Sequence, residues 1–278
     1  MGNNITVDEI NAKLRNGQIL EAAKLIAAGV SQRIDFCGGH VTYANVLLAT
    51  APWAEITALL PAGTNSLTTS GWVNSVLSGR PVDAQGNAIP WFTYPAIEFL
   101  EAVVRKDWRV FDWGSGNSTI WWSRNCESVT AAENNAAWAA EVRPKLSKNA
   151  QVLLHEDKDG YVNAIKGGSV YDVIVVDGEH RNECAYACVP HLSEKGIIVY
   201  DNSDRSEYDP SILHLESLGF HRVDFWGLIP SYVYRNCTSI FYRDPASLKH
   251  STLPSQHVST LGRSCEQSIE VLTGRRKS

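Results

Sequence analysis

The residues of this 278-residue chain that can do chemistry fall at the ends of short apolar runs. Val110-Phe111-Asp112-Trp113-Gly114-Ser115-Gly116-Asn117-Ser118-Thr119 reads as a buried strand that stops at an acid, turns on two glycines and opens a helix. Such a turn presents backbone N–H groups and a helix N-terminus to a ligand carrying negative charge. Glycine is expected there because a side chain would block close approach of that ligand. Glu133 follows about 20 residues later, the place for a carboxylate that accepts hydrogen bonds from two ribose hydroxyls. Later apolar runs end at His155-Glu156-Asp157, at Asp177 with His180 three residues on, and at Asp201-Asn202. Scattered carboxylates belong to a solvated surface. A series at successive strand ends belongs to the ligand-binding edge of an open parallel sheet.

The elements that must position these groups alternate from residue 96 onward. Helices are expected at 96–104, 118–124, 136–146, 160–165, 183–191 and 211–218. Strands are expected at 109–112, 128–132, 151–155, 171–176 and 196–200. That alternation implies a parallel sheet with helices on both faces. The ending departs from it: 220–225 and 238–242 are both strand-like with no helix between them, so the sheet should close with an antiparallel hairpin. The fold class expected is a Rossmann-like, doubly wound α/β sheet of seven strands, parallel except for the last. Before it, 7–14, 18–28 and 43–60 carry apolar residues at helical spacing. Residues 61–95 are rich in Gly, Ser, Thr, Asn and Pro and read as an ordered loop-like cover. The domain reading is therefore a helical cap region over 1–89, a ligand-binding domain over 90–244 and a polar tail over 245–278.

Bulk properties narrow the partners. A net charge of −5 without a dense Lys/Arg stripe disfavours nucleic acid and membrane surfaces. No apolar run approaches the roughly 20 residues needed to span a bilayer, and no secretory signal is visible, so a cytoplasmic protein is expected. The six cysteines, at 37, 126, 184, 188, 237 and 265, lack metal-like spacing and read as buried free thiols. The sequence leaves a homo-oligomer open.

The glycine turn distinguishes two ligands that share the ribose acid. A nicotinamide fingerprint needs a third glycine where this chain has Thr119. Asp112-Trp113-Gly114-Ser115-Gly116 instead resembles the Asp/Glu-x-Gly-x-Gly motif of class I S-adenosylmethionine-dependent methyltransferases, a family that also ends its sheet with an antiparallel seventh strand. Val176-Asp177-Gly178-Glu179-His180 and Lys195–Asn202 resemble its fourth- and fifth-strand motifs. The resemblance covers roughly residues 90–244. It implies that Asp112, Gly114, Ser115, Gly116, Ser118 and Thr119 cradle S-adenosylmethionine, with Asp112, Gly114 and Ser118 at its methionine end and Glu133 on the ribose. It places Glu156 or Asp157 near the adenine, without choosing between them, and adds Asp177 to the cofactor site. Trp91, Thr93 and Tyr94 precede the first strand and can fold over the cofactor, Tyr94 offering an aromatic face to a sulfonium.

The pattern Asp177-x-x-His180 followed by Asp201-Asn202 is similar to metal-dependent small-molecule O-methyltransferases of the macrocin and catechol types. That similarity implies Mg²⁺ held by Asp177, Asp201 and Asn202, since hard oxygen ligands suit this ion. It also implies Asp177 and His180 as catalytic groups, His180 removing the proton from an acceptor hydroxyl. Asp201-Asn202 could instead cap a strand end. Asp204, Arg205 and Tyr208 could line an acceptor pocket, or Asp204 and Arg205 could pair on the surface. The function expected is methyl transfer from S-adenosylmethionine to a hydroxyl of a small molecule. The alternatives are a nicotinamide-dependent oxidoreductase and a non-catalytic S-adenosylmethionine-binding scaffold.

Overall fold

The computed structural model describes residues 7–16, 18, 21–22, 24–25, 66–232 and 235–250. The expectations at 43–60, at most of 18–28, at Tyr234, at Cys37 and Cys265, and beyond residue 250 lie outside the described residues. The chain divides into two units, and the sheet lies entirely within Arg80–Ser251. In the other unit are helix α1 (Val7–Arg15) and two short helices, α2 (Ser66–Thr69) and α3 (Trp72–Ser78). The last two correct the loop reading of 61–95. Their Ser/Thr-rich sequence resembles loop, and Gly71 (φ 82°) and Gly79 (φ 66°) bracket α3 as left-handed caps that look like turn punctuation in a linear reading.

Seven strands form one sheet: β1 (Arg109–Trp113), β2 (Ser128–Glu133), β3 (Ala150–Leu154), β4 (Tyr171–Val176), β5 (Leu192–Asp201), β6 (His221–Leu228) and β7 (Arg235–Tyr242). Their spatial order is β3-β2-β1-β4-β5-β7-β6. Neighbours from β3 through β5 are parallel, and β7 runs antiparallel to both β5 and β6. The hairpin expected at the end is present, with β7 inserted between β5 and β6. Strand β5 begins at Leu192, four residues before the expected start. It pairs there with Tyr171 and resumes from Ile197 opposite Val173 across an irregularity in register.

The helices of this unit are α4 (Tyr94–Val103), α5 (Asn117–Asn125), α6 (Ala136–Val142), α7 (Lys158–Asn163), α8 (Arg181–Cys188) and α9 (Asp209–Ser217). Period-two alternation sends successive strand residues to opposite faces. Phe111, Ile174, Val176, Ile198 and Tyr200 pack with Tyr161, Cys184, Cys188, Ile212 and Leu215 from α7, α8 and α9. Val110, Val173, Val175, Ile197 and Val199 pack with Ile97, Leu100, Trp121 and Trp122 from α4 and α5. Apolar residues on both faces explain why the central strands read as unbroken hydrophobic runs. Cys126, Cys184, Cys188 and Cys237 are buried free thiols, as their spacing suggested. Among the described residues no helix is long and apolar enough to cross a membrane.

Candidate functional site

The strand order reverses between β1 and β4, so the crevice of this sheet opens beyond their carboxyl ends. Gly114 lies there at φ 110°, conformational space that L side chains rarely enter. A Cβ on it would sit 3.0 Å from the Asp177 carbonyl oxygen and 3.1 Å from Gly178 Cα. One on Gly178 would fall 1.9 Å from Tyr161 Oη and 3.1 Å from Gly114 N. The two turns thus touch backbone to backbone, and the Asp177 N–H donates to the Trp113 carbonyl at 3.1 Å. This packing by itself requires glycine at 114, a reason the linear sequence does not show. Gly116 has ordinary extended backbone (φ 170°), and its added Cβ would meet only the Trp138 ring, at 3.8 Å. It is the glycine whose open side remains for a ligand.

Helix α5 starts immediately after this turn, and Thr119 ties the two together. Its hydroxyl accepts from the Gly116 N–H (3.1 Å) and donates to Asp112 Oδ2 (2.8 Å). That is why threonine, not a third glycine, stands at this position. Ser118 also donates to Asp112 Oδ2, at 2.9 Å. The other oxygen, Asp112 Oδ1, is buried without a hydrogen-bond partner. Burial raises the Asp112 carboxyl to about 7; the Thr119 and Ser118 hydroxyls oppose the rise and the Glu133 charge adds to it. Glu133, at the end of β2, accepts from the Ser115 hydroxyl (2.8 Å) and from the Asn134 and Asn135 N–H groups (3.0 and 2.9 Å). The structure therefore gathers Asp112, Gly114, Ser115, Gly116, Ser118, Thr119 and Glu133 into one cradle. Trp138, which the sequence reading missed, donates from Nε1 to the Ser115 carbonyl (2.6 Å) and stands beside the turn, the residue 39% exposed. Its place was legible in outline: Asn135 caps α6 by accepting from the Trp138 N–H (3.0 Å), which fixes the first turn of that helix beside Glu133.

The edge formed by β4 and β5 holds a second cluster, built around Arg181. Its Nη2 donates to Asp177 Oδ1 (2.9 Å) and to the Asp177 carbonyl (3.0 Å). Its Nη1 donates to Asn202 Oδ1 (2.7 Å) and to the Asp201 carbonyl (3.2 Å). The guanidinium lies over the Tyr208 ring at 5.3 Å, and its side chain is 9% exposed. Asn202 adopts a left-handed conformation (φ 54°). Asp201 Oδ1 accepts from Thr238 Oγ1 at 2.6 Å, and that oxygen accepts the Thr93 N–H at 3.0 Å. Burial raises Asp177 well above the carboxylate range; Asp201 adds to the rise and Arg181 opposes it. Asp201 is pushed up to about 6 by burial, against Arg181 and Thr238. Burial works against charge on Arg181, but Asp177 and Asp201 outweigh it and hold it above its ordinary value.

This arrangement does not fit the Mg²⁺ expected on Asp177, Asp201 and Asn202. Such an ion needs oxygens at about 2.0–2.1 Å in octahedral array. Here an organic cation already holds Asp177 and Asn202, and Thr238 bonds Asp201. Among the described residues no group of three His, Cys, Asp or Glu is arranged to hold a metal.

The remaining expected residues are more scattered. Glu156 and Asp157 are exposed, and Asp157 caps α7 by accepting from the Gly160 N–H at 2.7 Å. His180 precedes α8 in left-handed conformation (φ 53°), its ring edge-on to Tyr161 at 6.3 Å. Tyr94 opens α4 and packs partly on the core beside that helix. Trp91 donates to the Pro230 carbonyl (2.8 Å) and stacks on Tyr232 at 5.8 Å, so the segment before α4 is fastened to the β6–β7 loop. Asp204 accepts from the Cys237 N–H (3.0 Å), and Tyr208 lies under Arg181. A cleft of about 420 Å³ among Arg109, Thr130, Gln151 and Tyr171 opens at the opposite, amino ends of the strands, away from both clusters.

No family model matches the chain, and no curated protein is similar to it. Among solved structures, a precorrin-6y C5,15-methyltransferase from Geobacter metallireducens is 16% identical with a TM-score of 0.45, over 54% of this chain and 88% of that one. A methyltransferase from Pyrococcus furiosus is 17% identical with a TM-score of 0.43, over 63% and 94%. An rRNA methylase from Streptococcus thermophilus is 13% identical with a TM-score of 0.41, over 54% and 96%. Similarities this remote assign no activity.

Proposed function

We propose that the chain binds S-adenosylmethionine over the Gly114–Gly116 turn and transfers its methyl group to a hydroxyl of a small-molecule acceptor. The observation that carries this reading is Asp112: a wholly buried carboxyl at the switch point, bonded through one oxygen and unpartnered at the other. Such a group is costly unless a cation approaches it. The α-ammonium of the cofactor's methionine end supplies that cation, while Glu133 retains acceptor capacity for ribose hydroxyls next to Ser115. When bound, the cofactor supplies an electrophilic methyl on a sulfonium. The chain's part is to hold cofactor and acceptor in line, which supplies much of the rate in a displacement of this kind. His180, three residues beyond Asp177 on the same edge, is the base assigned to the acceptor proton. With the cofactor held there, the acceptor oxygen would bond the methyl carbon and the carbon–sulfur electron pair would go to sulfur. No step is assigned to a metal, because Arg181 engages the oxygens that would bind one.

The test is transfer of labelled methyl from S-adenosylmethionine to a library of hydroxylated small molecules in EDTA. Transfer by the wild type, with loss in His180→Ala and retained binding of S-adenosylhomocysteine by that variant, supports the reading. Absence of S-adenosylhomocysteine binding, or activity undiminished in His180→Ala, contradicts the corresponding part.

A further inference from the structure

We propose that Arg181 is a fixed internal cation, standing where this set of carboxylate and amide oxygens would otherwise admit a divalent metal ion. The proposal deepens the preceding reading at the acceptor edge, but its support is the geometry of Arg181 itself. The guanidinium bridges the ends of β4 and β5, giving two bonds to Asp177, one to the Asp201 carbonyl and one to the Asn202 side chain. A planar fork can join two separate acceptors in this way, which a lysine ammonium does not reproduce. The left-handed backbone of Asn202 sets its side chain beside the fork, and Tyr208 covers the guanidinium face. Nε of Arg181 is buried without a partner, so the side chain forgoes one of its five hydrogen bonds to reach this position. A surface arginine would not bear that cost. Arg181 is thus a positioning residue that holds Asp177 and the β5 end in register.

Charge separates this device from a metal. A divalent ion carries two positive charges and the Arg181 guanidinium one, and beside that single charge burial still holds both Asp177 and Asp201 above the ordinary carboxylate range. The consequence of removing Arg181 is specific: the freed Asp177 and Asn202 side-chain oxygens and the Asp201 carbonyl oxygen form a hard-ligand set beside the Asp201 carboxylate.

The experiment titrates Mn²⁺ into the full chain and reads uptake by electron paramagnetic resonance, independently of methyl transfer. Wild type should take up no Mn²⁺ up to about 1 mM, the weak end of protein oxygen sites. Arg181→Ala should bind one ion per chain at least about tenfold more tightly, and Asp177→Asn in that background should abolish the gain. Guanidinium ion at roughly 10 mM, far below denaturing levels, should raise the Tm of Arg181→Ala where potassium does not. Stoichiometric Mn²⁺ uptake by the wild type, lost in Asp201→Asn, would overturn the proposal. So would a folded Arg181→Ala showing neither uptake nor rescue. If Arg181→Ala does not fold, Arg181→Lys decides: a lowered Tm with metal still excluded supports the role, and an unchanged Tm or uptake of Mn²⁺ refutes it. A protein that excludes Mn²⁺ as expected yet shows no methyl transfer would leave the Arg181 assignment standing and reject the functional one.

Discussion

If Asp112 awaits a cation, cofactor binding must be linked to its ionisation. With its carboxyl raised to about 7 by burial, Asp112 in the free protein is half ionised at neutral pH. At pH 5.5 roughly one such group in thirty carries its charge. Pairing with the ligand ammonium returns the carboxyl toward its ordinary range, so binding near neutrality releases about half a proton. The affinity for S-adenosylhomocysteine should therefore rise roughly fifteenfold, about 1.6 kcal/mol, between pH 5.5 and pH 7. Above that range the ligand's own amine begins to titrate, which confines the useful window. Calorimetry at each pH, repeated in buffers of different ionisation enthalpy, measures both the affinity and the proton count. The stability of the free protein should move the other way. A carboxyl whose folded value exceeds its unfolded value of 3.8 contributes stability that is full below 3.8 and lost as pH rises through about 7. Three units of elevation bound that loss at about 4 kcal/mol, so the free protein should melt at a lower temperature at pH 8 than at pH 5.5. Affinity independent of pH over 5.5–7 with no proton release, or an identical profile in Asp112→Asn, would show that Asp112 does not meet the ligand's ammonium.

Three other outcomes separate packing from binding. Gly114→Ala should destabilise the fold by about 3 kcal/mol in denaturant melts, because it combines forbidden backbone with a 3.0 Å approach to the Asp177 carbonyl. Gly116→Ala should change stability by less than about 1 kcal/mol while weakening S-adenosylhomocysteine binding, since its Cβ meets nothing in the chain closer than 3.8 Å. Thr238→Val should cost about 1–3 kcal/mol by leaving buried Asp201 without its 2.6 Å donor, with the loss smallest at acid pH where Asp201 is protonated.

The sheet was readable because its core strands are apolar on both faces and its ends are marked by acids and glycines. Val173–Val176 ends at Asp177, and the missing helix between β6 and β7 announced the antiparallel turn. The cradle was readable because Asp112, Ser118 and Thr119 are local in sequence and meet within one turn of helix. What sequence did not disclose depends on neighbours far along the chain. The need for glycine at 114 comes from Gly178, 64 positions on, and is visible only once β1 lies beside β4. Arg181 was passed over because arginine is ordinarily exposed, and its burial follows from two acids and an amide brought together by adjacent strands. Its closeness in sequence to Asp177, across the short turn from β4 into α8, was the one local signal. Asp157 caps α7 through one carboxylate oxygen, a role that the run His155-Glu156-Asp157 did not announce.

The most direct test of the central claim is a crystal structure of the protein with S-adenosylhomocysteine in the presence of EDTA. The ligand is expected at the carboxyl edge of β1 and β2, its ribose hydroxyls on Glu133 and its ammonium at the Asp112 end of the turn, with Arg181 still bridging Asp177 and Asn202. A ligand bound elsewhere, or one seated there with Glu133 and Asp112 untouched, would contradict that claim.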